Sequence, residues 1–322
     1  YMNDVIFYDF DFNLLYILPP FALDTGYVSA NASAEFCGDG SFELVFADDG
    51  LKSVIEGKKD EIFVKWGKFE GFLTGFKWEE DKSTLFGMSL SGLLHRVVFP
   101  PAAAIQTNNR TAEYIVRDMI SQNCTWLNLG DEAGFTAKVE FQSDKYQSAD
   151  VFVSDCLKLD NGGFEIYADF TNKKFMFRCL KRAENELIIS ENLLNAYNFT
   201  TTYTNKELAF GGWYEEEYTN GDGETAKRWK YISTTEKTGI RKIDTVLSSN
   251  TKAEAEKELK RLNSQYDIEA ETKDLVFGTS YKLGDIIRLQ SDGVTVKKVI
   301  SSVDIWQEET YGEMPKFNDL EE

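Results

Sequence analysis

The 322-residue sequence predicts a mixed, mainly β fold of the α+β type. Three observations carry that prediction. The first hundred residues alternate apolar and polar side chains in short runs between turn residues, the period-2 signature of strands. Two helix-period stripes and a hairpin fill the middle. The last third returns to strand-like alternation, broken by one helical stripe. The expected domains are 1–107 (β), 108–195 (α+β) and 196–322 (β, with a helical insertion at about 251–266).

Residues 4–18 read as one strand-like run in which Phe10 and Phe12 alternate with Asp9, Asp11 and Asn13. Further strands are expected at 27–36, 41–47, 61–66, 69–78 and 84–91, with Asp39-Gly40 as a turn. Together they suggest a barrel or sandwich of short strands. The polar stretch Lys52 to Lys59 reads as a turn, and Leu93 to Val98 as a strand-like apolar run. Pro100-Pro101 closes the block. Thr111 is placed to N-cap a helix whose Ala112, Ile115, Val116, Met119 and Ile120 share a face. A second helix, from about Ser148 to Asp160, has the stripe Ala149, Phe152, Val153 and Cys156, with Gly162-Gly163 as its stop. A hairpin follows, with Phe164, Ile166, Ala168 and Phe170 facing inward opposite Phe175, Phe177 and Cys179 across Thr171-Asn172-Lys173. Later strands are expected at about 198–217, 227–236 and 294–307, with Asn220-Gly221-Asp222-Gly223 as a loop tip. Thr251 and Glu254 fit a capping box for the inserted helix, whose stripe is Ala255, Leu259, Leu262 and Tyr266.

The composition is that of a globular chain, 42% hydrophobic and 14% aromatic. No apolar run approaches the roughly 20 residues of a membrane helix, and no signal peptide is expected. The net charge is −19, with 54 acids against 35 scattered bases. Gripping nucleic acid needs clustered cations, so tight binding is not expected. An acidic surface serves solubility and is also compatible with DNA sliding past. Cys37, Cys124, Cys156 and Cys179 lack zinc or redox spacing and read as buried thiols. Asn-x-Ser/Thr triplets at Asn31, Asn109, Asn123 and Asn198 are ascribed to chance.

Little in the chain points to catalysis. His95 is the single histidine, which excludes multi-histidine metal sites and reads as a structural or interface residue. Ser89-Leu90-Ser91-Gly92 only echoes a nucleophile elbow. No phosphate loop or dinucleotide fingerprint occurs. Acidic runs at Asp48-Asp49, Glu79-Glu80-Asp81, Glu215-Glu216-Glu217 and Glu308-Glu309 are expected by number alone in so acidic a chain. Trp66, Trp78, Trp126, Trp213, Trp229 and Trp306 fill cores or interfaces in one reading and stack on sugars in another. The prediction is a non-enzyme with no catalytic residue, no cofactor and no metal.

Five segments in order carry a resemblance. The first is Phe69-Glu70-Gly71-Phe72-Leu73-Thr74-Gly75 followed by Gly87 through Pro101, with its Gly92, Leu93-Leu94, Arg96 and Pro100. The second is the helix, double glycine and hairpin over 148–180; the third is Asn192-Leu193-Leu194, then Asn205 through Gly211-Gly212. The fourth is Thr238-Gly239-Ile240-Arg241-Lys242-Ile243-Asp244, and the fifth Leu283-Gly284-Asp285-Ile286-Ile287, with a closing segment near Pro315. In this order they resemble the tail-tip hub proteins of long, flexible-tailed phages, which are related in fold to the baseplate hub of contractile phages. Lys242-Ile243-Asp244 departs from that family's charged pair, and Pro315-Lys316-Phe317 lacks its usual glycine.

The resemblance implies two small β-barrels joined by α+β pieces, and a homotrimer whose paired barrels form a pseudo-sixfold ring. The implied partners are further copies of the chain, a distal tail ring protein, a tape-measure protein and tip or fibre proteins, with DNA only in passage. The implied location is the virion tail tip, after assembly in the host cytoplasm. No wall-degrading domain is expected. The rival readings are a receptor- or carbohydrate-binding tail module and a tail-associated cell-wall hydrolase.

Overall fold

Asp9 divides the first apolar run. Its Oδ1 accepts the N–H of Asp11 at 3.1 Å and of Asn13 at 2.9 Å, closing an Asx turn. The single strand expected over 4–18 is therefore two, β1 (Val5–Asp9) and β2 (Leu14–Leu18), paired antiparallel. Phe10 and Phe12 sit in the turn between them, Phe12 with φ 64°.

The computed structural model describes the chain apart from residues 1–2, 21–25, 59, 81, 103–108, 205–207, 220–224, 237–241, 263–265, 309 and 321–322, and the side chains at 219 and 261. The loop tip expected at 220–223 and the stretch 238–241 lie outside the described residues. The chain forms two units: residues 1–187, 272–287 and 297–320, and residues 188–271, 288–296 and 321–322.

In the first unit, β3 (Tyr27–Glu35), β4 (Ser41–Phe46), β5 (Ile62–Trp66), β6 (Phe69–Trp78) and β7 (Ser83–Ser89) follow the predicted strands closely. They form an antiparallel sheet in the order β2-β1-β5-β6-β7-β4-β3. Val294–Gln307 extends it beside β3, pairing Ser302 with Glu35 through Gln307 with Ala30. Tyr311–Asp319, not expected from the pattern, pairs in turn with Val294–Gln307. The described pairings form an open path, not a closed barrel.

The stretch read as a turn at 52–59 is helical from Lys52 to Lys58, and residue 59 lies outside the described residues. Helix α1 (Asp49–Lys58) is capped by Asp48, whose Oδ1 accepts from Gly50 at 2.7 Å and Leu51 at 3.2 Å. Leu51 and Ile55, four residues apart, are its buried face. The strand-like run around His95 is also helical, a 3-10 turn over Leu90–Arg96. Five consecutive buried residues, Leu90 to Leu94, mask the period there.

Helix α2 (Ala112–Asn123) begins as expected, with Thr111 Oγ1 accepting from Tyr114 at 3.1 Å. Helix α3 (Ala149–Lys158) buries the expected Ala149, Phe152, Val153 and Cys156. Both contribute to one core with the 3-10 turn and the hairpin Gly162–Asp169/Lys174–Lys181. The left-handed residue after α3 is Asn161, φ 51°, not a glycine. Gly162 and Gly163 lie inside the strand, where a Cβ would fall 2.6 Å from the Phe135 ring and 1.9 Å from the Phe36 carbonyl oxygen. Close approach, not helix termination, requires them.

The second unit holds the hairpin Gly211–Thr219/Thr225–Ser233, with Asp244–Val246 parallel to its first strand. Ala196–Tyr203 and Tyr266–Thr272 form a separate pair. Helix α4 (Lys252–Leu262) has the predicted Thr251–Glu254 cap, with the Glu254 N–H donating to Thr251 Oγ1 at 3.3 Å. Ala255 packs with Tyr214 and Leu247. Tyr266 leaves the expected stripe: it starts the next strand and is 44% exposed.

Candidate functional site

His95 is the natural place to look for chemistry, and the fold gives it two carboxylates. Its Nε2 faces Asp39 Oδ2, and its Nδ1 lies 3.2 Å from Asp150 Oδ2. Asp39 comes from the turn before β4, and Asp150 from the first turn of α3, where the helix dipole favours a negative charge. Burial raises the Asp39 carboxyl above its ordinary range, opposed by His95. Asp39 Oδ1 is buried without a hydrogen-bond partner among the described residues.

This cluster lacks the parts of a nucleophilic triad. Ser89 Oγ accepts from Gly40 at 3.0 Å, and Ser91 Oγ from the Ile166 N–H at 3.3 Å. Both hydroxyls thus serve backbone amides of neighbouring segments. Asp39, His95 and Asp150 each bring one ligand atom within 4.8 Å of the others, close enough to hold an ion, but the two carboxylates face different ring nitrogens, and an ion takes only one. The cluster does one thing well: it ties the turn before β4, the 3-10 turn and α3 together.

The other sequence candidates resolve into structural roles. Asp48 caps α1 and accepts from Tyr16 Oη at 2.7 Å. Glu79 pairs with Lys77 at 2.9 Å, which holds its carboxyl below the ordinary range. Across the second unit's hairpin, Glu215 meets Lys227 at 2.7 Å, and Glu216 meets Lys230 at 2.9 Å and Arg228 at 2.6 Å. Hydrogen bonds from Lys230 and Arg228 depress Glu216. Glu308 is described and Glu309 is not. Cys124, Cys156 and Cys179 are buried and Cys37 partly so; burial pushes Cys37 and Cys124 up to about 11 and Cys156 to about 12, and raises Cys179 further.

Within the first unit the tryptophans do not stack on one another among the described residues. Trp66 is buried; Trp78 stacks on Phe76 with centroids 4.5 Å apart. Trp126 meets the edge of Phe175. Trp213 and Trp229 are exposed and share a hairpin face, because Trp229 pairs with Glu215, two residues from Trp213.

Two carboxylates escaped the sequence reading, Glu113 buried and Glu70 partly buried. Glu113, in the first turn of α2, accepts the N–H groups of Ala133 at 2.6 Å, Gly134 at 3.0 Å and Phe135 at 3.0 Å. Glu70 accepts from Ala168 at 2.7 Å and pairs with Lys65 at 3.4 Å; burial raises it. An acid within an otherwise apolar helix face was the available signal for Glu113. Nothing local marks Glu70.

No family model and no curated relative matches the sequence. Solved structures do match in fold. Prophage tail protein gp18 from Listeria monocytogenes superposes with a TM-score of 0.61 at 14% identity, over 98% of this chain and 94% of that one. The 43 kDa tail protein of prophage MuSo2 from Shewanella oneidensis gives 0.57 at 10% identity, over 98% of both chains. The tail protein from Neisseria meningitidis gives 0.56 at 11% identity, over 99% and 97%. The chain is similar in fold, nearly end to end, to phage tail proteins.

Proposed function

We propose that this chain is a structural subunit of a phage-type tail, forming a trimeric hub ring at the tail tip. The observation that carries the reading is the near-complete overlap with three tail proteins, two of them from prophages, 98–99% of this chain against 94–98% of theirs. It accords with the order of the five resembling segments and with a His95 cluster that ties segments together and lacks a nucleophile. In such a ring the subunit is a mechanical adapter between the tail tube and the tip, touching distal ring, tape-measure and fibre proteins. A net charge of −19 suits a wall that lets DNA pass without phosphate contacts. Two β-rich domains per subunit would give the ring its pseudo-sixfold character.

Light scattering across a concentration series tests the ring. The expected result is a species of three 36.7 kDa chains, or a reversible approach to it. A strict monomer at high concentration removes the self-assembling ring. The second reading, sugar binding, rests on the shared face of Trp213 and Trp229. Saturable glycan-array binding lost in Trp213→Ala favours it.

A further inference from the structure

In the first unit, the turn that splits the first apolar run and the turn of the hairpin meet around a cavity of about 360 Å³. Phe12 and Phe175 are buried at its base. Phe175 makes edge contacts with Phe10 (5.8 Å, 84°) and with Trp126 (6.3 Å, 79°), and Trp126 is 39% exposed. Three cations complete the lining: Arg96, Lys173 and Lys174. The Arg96 guanidinium lies 5.5 Å from the Phe10 centroid and 4.8 Å from that of Phe72, and its Nη1 donates to the Asp60 carbonyl at 3.4 Å. Rings on two sides thus fix its fork.

The charge of this cavity opposes that of the chain. No carboxylate is among its described lining residues. Of the acids in the two flanking turns, Asp9 is engaged by Asn13 and Lys58 and Asp169 by Thr171 and Asn172, while Asp11 is exposed and lies outside the cavity lining. A chain with 54 acids and 35 bases has placed three bases around an aromatic floor. Single-stranded nucleic acid also likes rings and cations, but a net charge of −19 repels a polyanion at long range far more than a short segment with two carboxylates.

We propose that this cavity docks an acidic peptide segment of a partner protein, with an aromatic side chain against Phe12, Phe175 and Trp126 and its flanking carboxylates on Arg96, Lys173 and Lys174. The chemistry of the cavity is independent of the tail reading.

The test titrates the ¹⁵N-labelled full chain with the peptide acetyl-Asp-Phe-Glu-amide and follows the Trp126 indole N–H, assigned with Trp126→Phe. The expected result is a saturable shift that weakens as salt rises. The basic peptide acetyl-Lys-Phe-Lys-amide leaves the resonance in place. In the Lys173→Glu/Lys174→Glu variant, which changes two exposed side chains, affinity falls about tenfold or more with an unchanged melting temperature. No shift up to about 10 mM peptide overturns the proposal, since weaker binding than that is not recognition. So does an equal response to the basic peptide, undiminished binding by the variant, or tighter binding of an oligothymidylate. A Trp126 resonance that moves with protein concentration alone assigns the cavity to a second copy and also overturns it.

Discussion

Gly163 passes so close to Phe36 that a Cβ on it would fall 1.9 Å from the Phe36 carbonyl oxygen. The same carbonyl accepts the Phe164 N–H at 3.0 Å, so the approach is held by a hydrogen bond. On the side chain of Phe36, Gly284 is equally near: its Cβ would meet the ring at 2.3 Å, and its φ is 83°. Two of the glycine-bearing segments that carry the tail-hub resemblance thus converge on one phenylalanine.

Gly163→Ala meets fixed backbone and is expected to cost about 3 kcal/mol or more, enough to leave much of the protein insoluble. Gly57→Ala is the control. It lies in α1 with nothing within 4 Å of its Cβ, and helix propensity predicts a gain of up to about 1 kcal/mol. Urea unfolding of the soluble fractions checks both, and equal stabilities would refute the close approach.

Glu113 is expected to matter more than its position in a helix suggests. Three N–H groups of the 133–135 segment end on its carboxylate, and the residue is 5% exposed. Glu113→Ala leaves buried donors unpaired and should cost about 3 kcal/mol, with Glu113→Gln costing less because one oxygen remains. Hydrogen exchange adds a local readout: the amides of 133–135 should lose protection first.

The four thiols set an alkaline limit. Cys124 and Cys156 are fully buried, and burial places them at about 11 and about 12. At pH 8 about one Cys124 in a thousand is ionised, so an aromatic disulfide reagent should label the native protein slowly and the unfolded protein at four sites. The pH dependence has a definite sign. The folded thiols ionise later than the unfolded ones, so the folded state holds more protons above pH 9. Their stabilisation is complete below about pH 9 and is lost as pH rises toward 11, by about 1.4 kcal/mol per pH unit for each thiol. A flat urea midpoint from pH 8.5 to 11 would contradict this.

What the sequence disclosed followed local periodicity. Thr111 and the α2 stripe were legible because cap and period agree within twelve residues. Helix α1 was not, because it shows only Leu51 and Ile55 as buried apolar residues and an acidic cap. Phe10 and Phe12 alternate like a strand, yet the Asp9 carboxylate outcompetes the ladder for the amides of Asp11 and Asn13. The contacts that define the site are less legible still. Asp39, His95 and Asp150 meet across more than a hundred residues, and no local pattern encodes such a meeting.

The edge of the sheet supplies a test of self-assembly. Among the described residues β2 pairs with β1 alone, so its outer row of backbone groups is open. Leu14 is 55% and Ile17 48% exposed on that strand. An apolar edge of this kind invites pairing with another chain, and a lone monomer usually blunts it with charge. If the edge closes the proposed ring, Leu14→Lys/Ile17→Lys should convert a trimer to monomer in light scattering. The change should leave thermal stability within about 0.5 kcal/mol, since both side chains face outward. A variant that remains trimeric moves the interface elsewhere and leaves β2 as an ordinary edge, whereas one that unfolds would mean that these side chains are packed within the subunit.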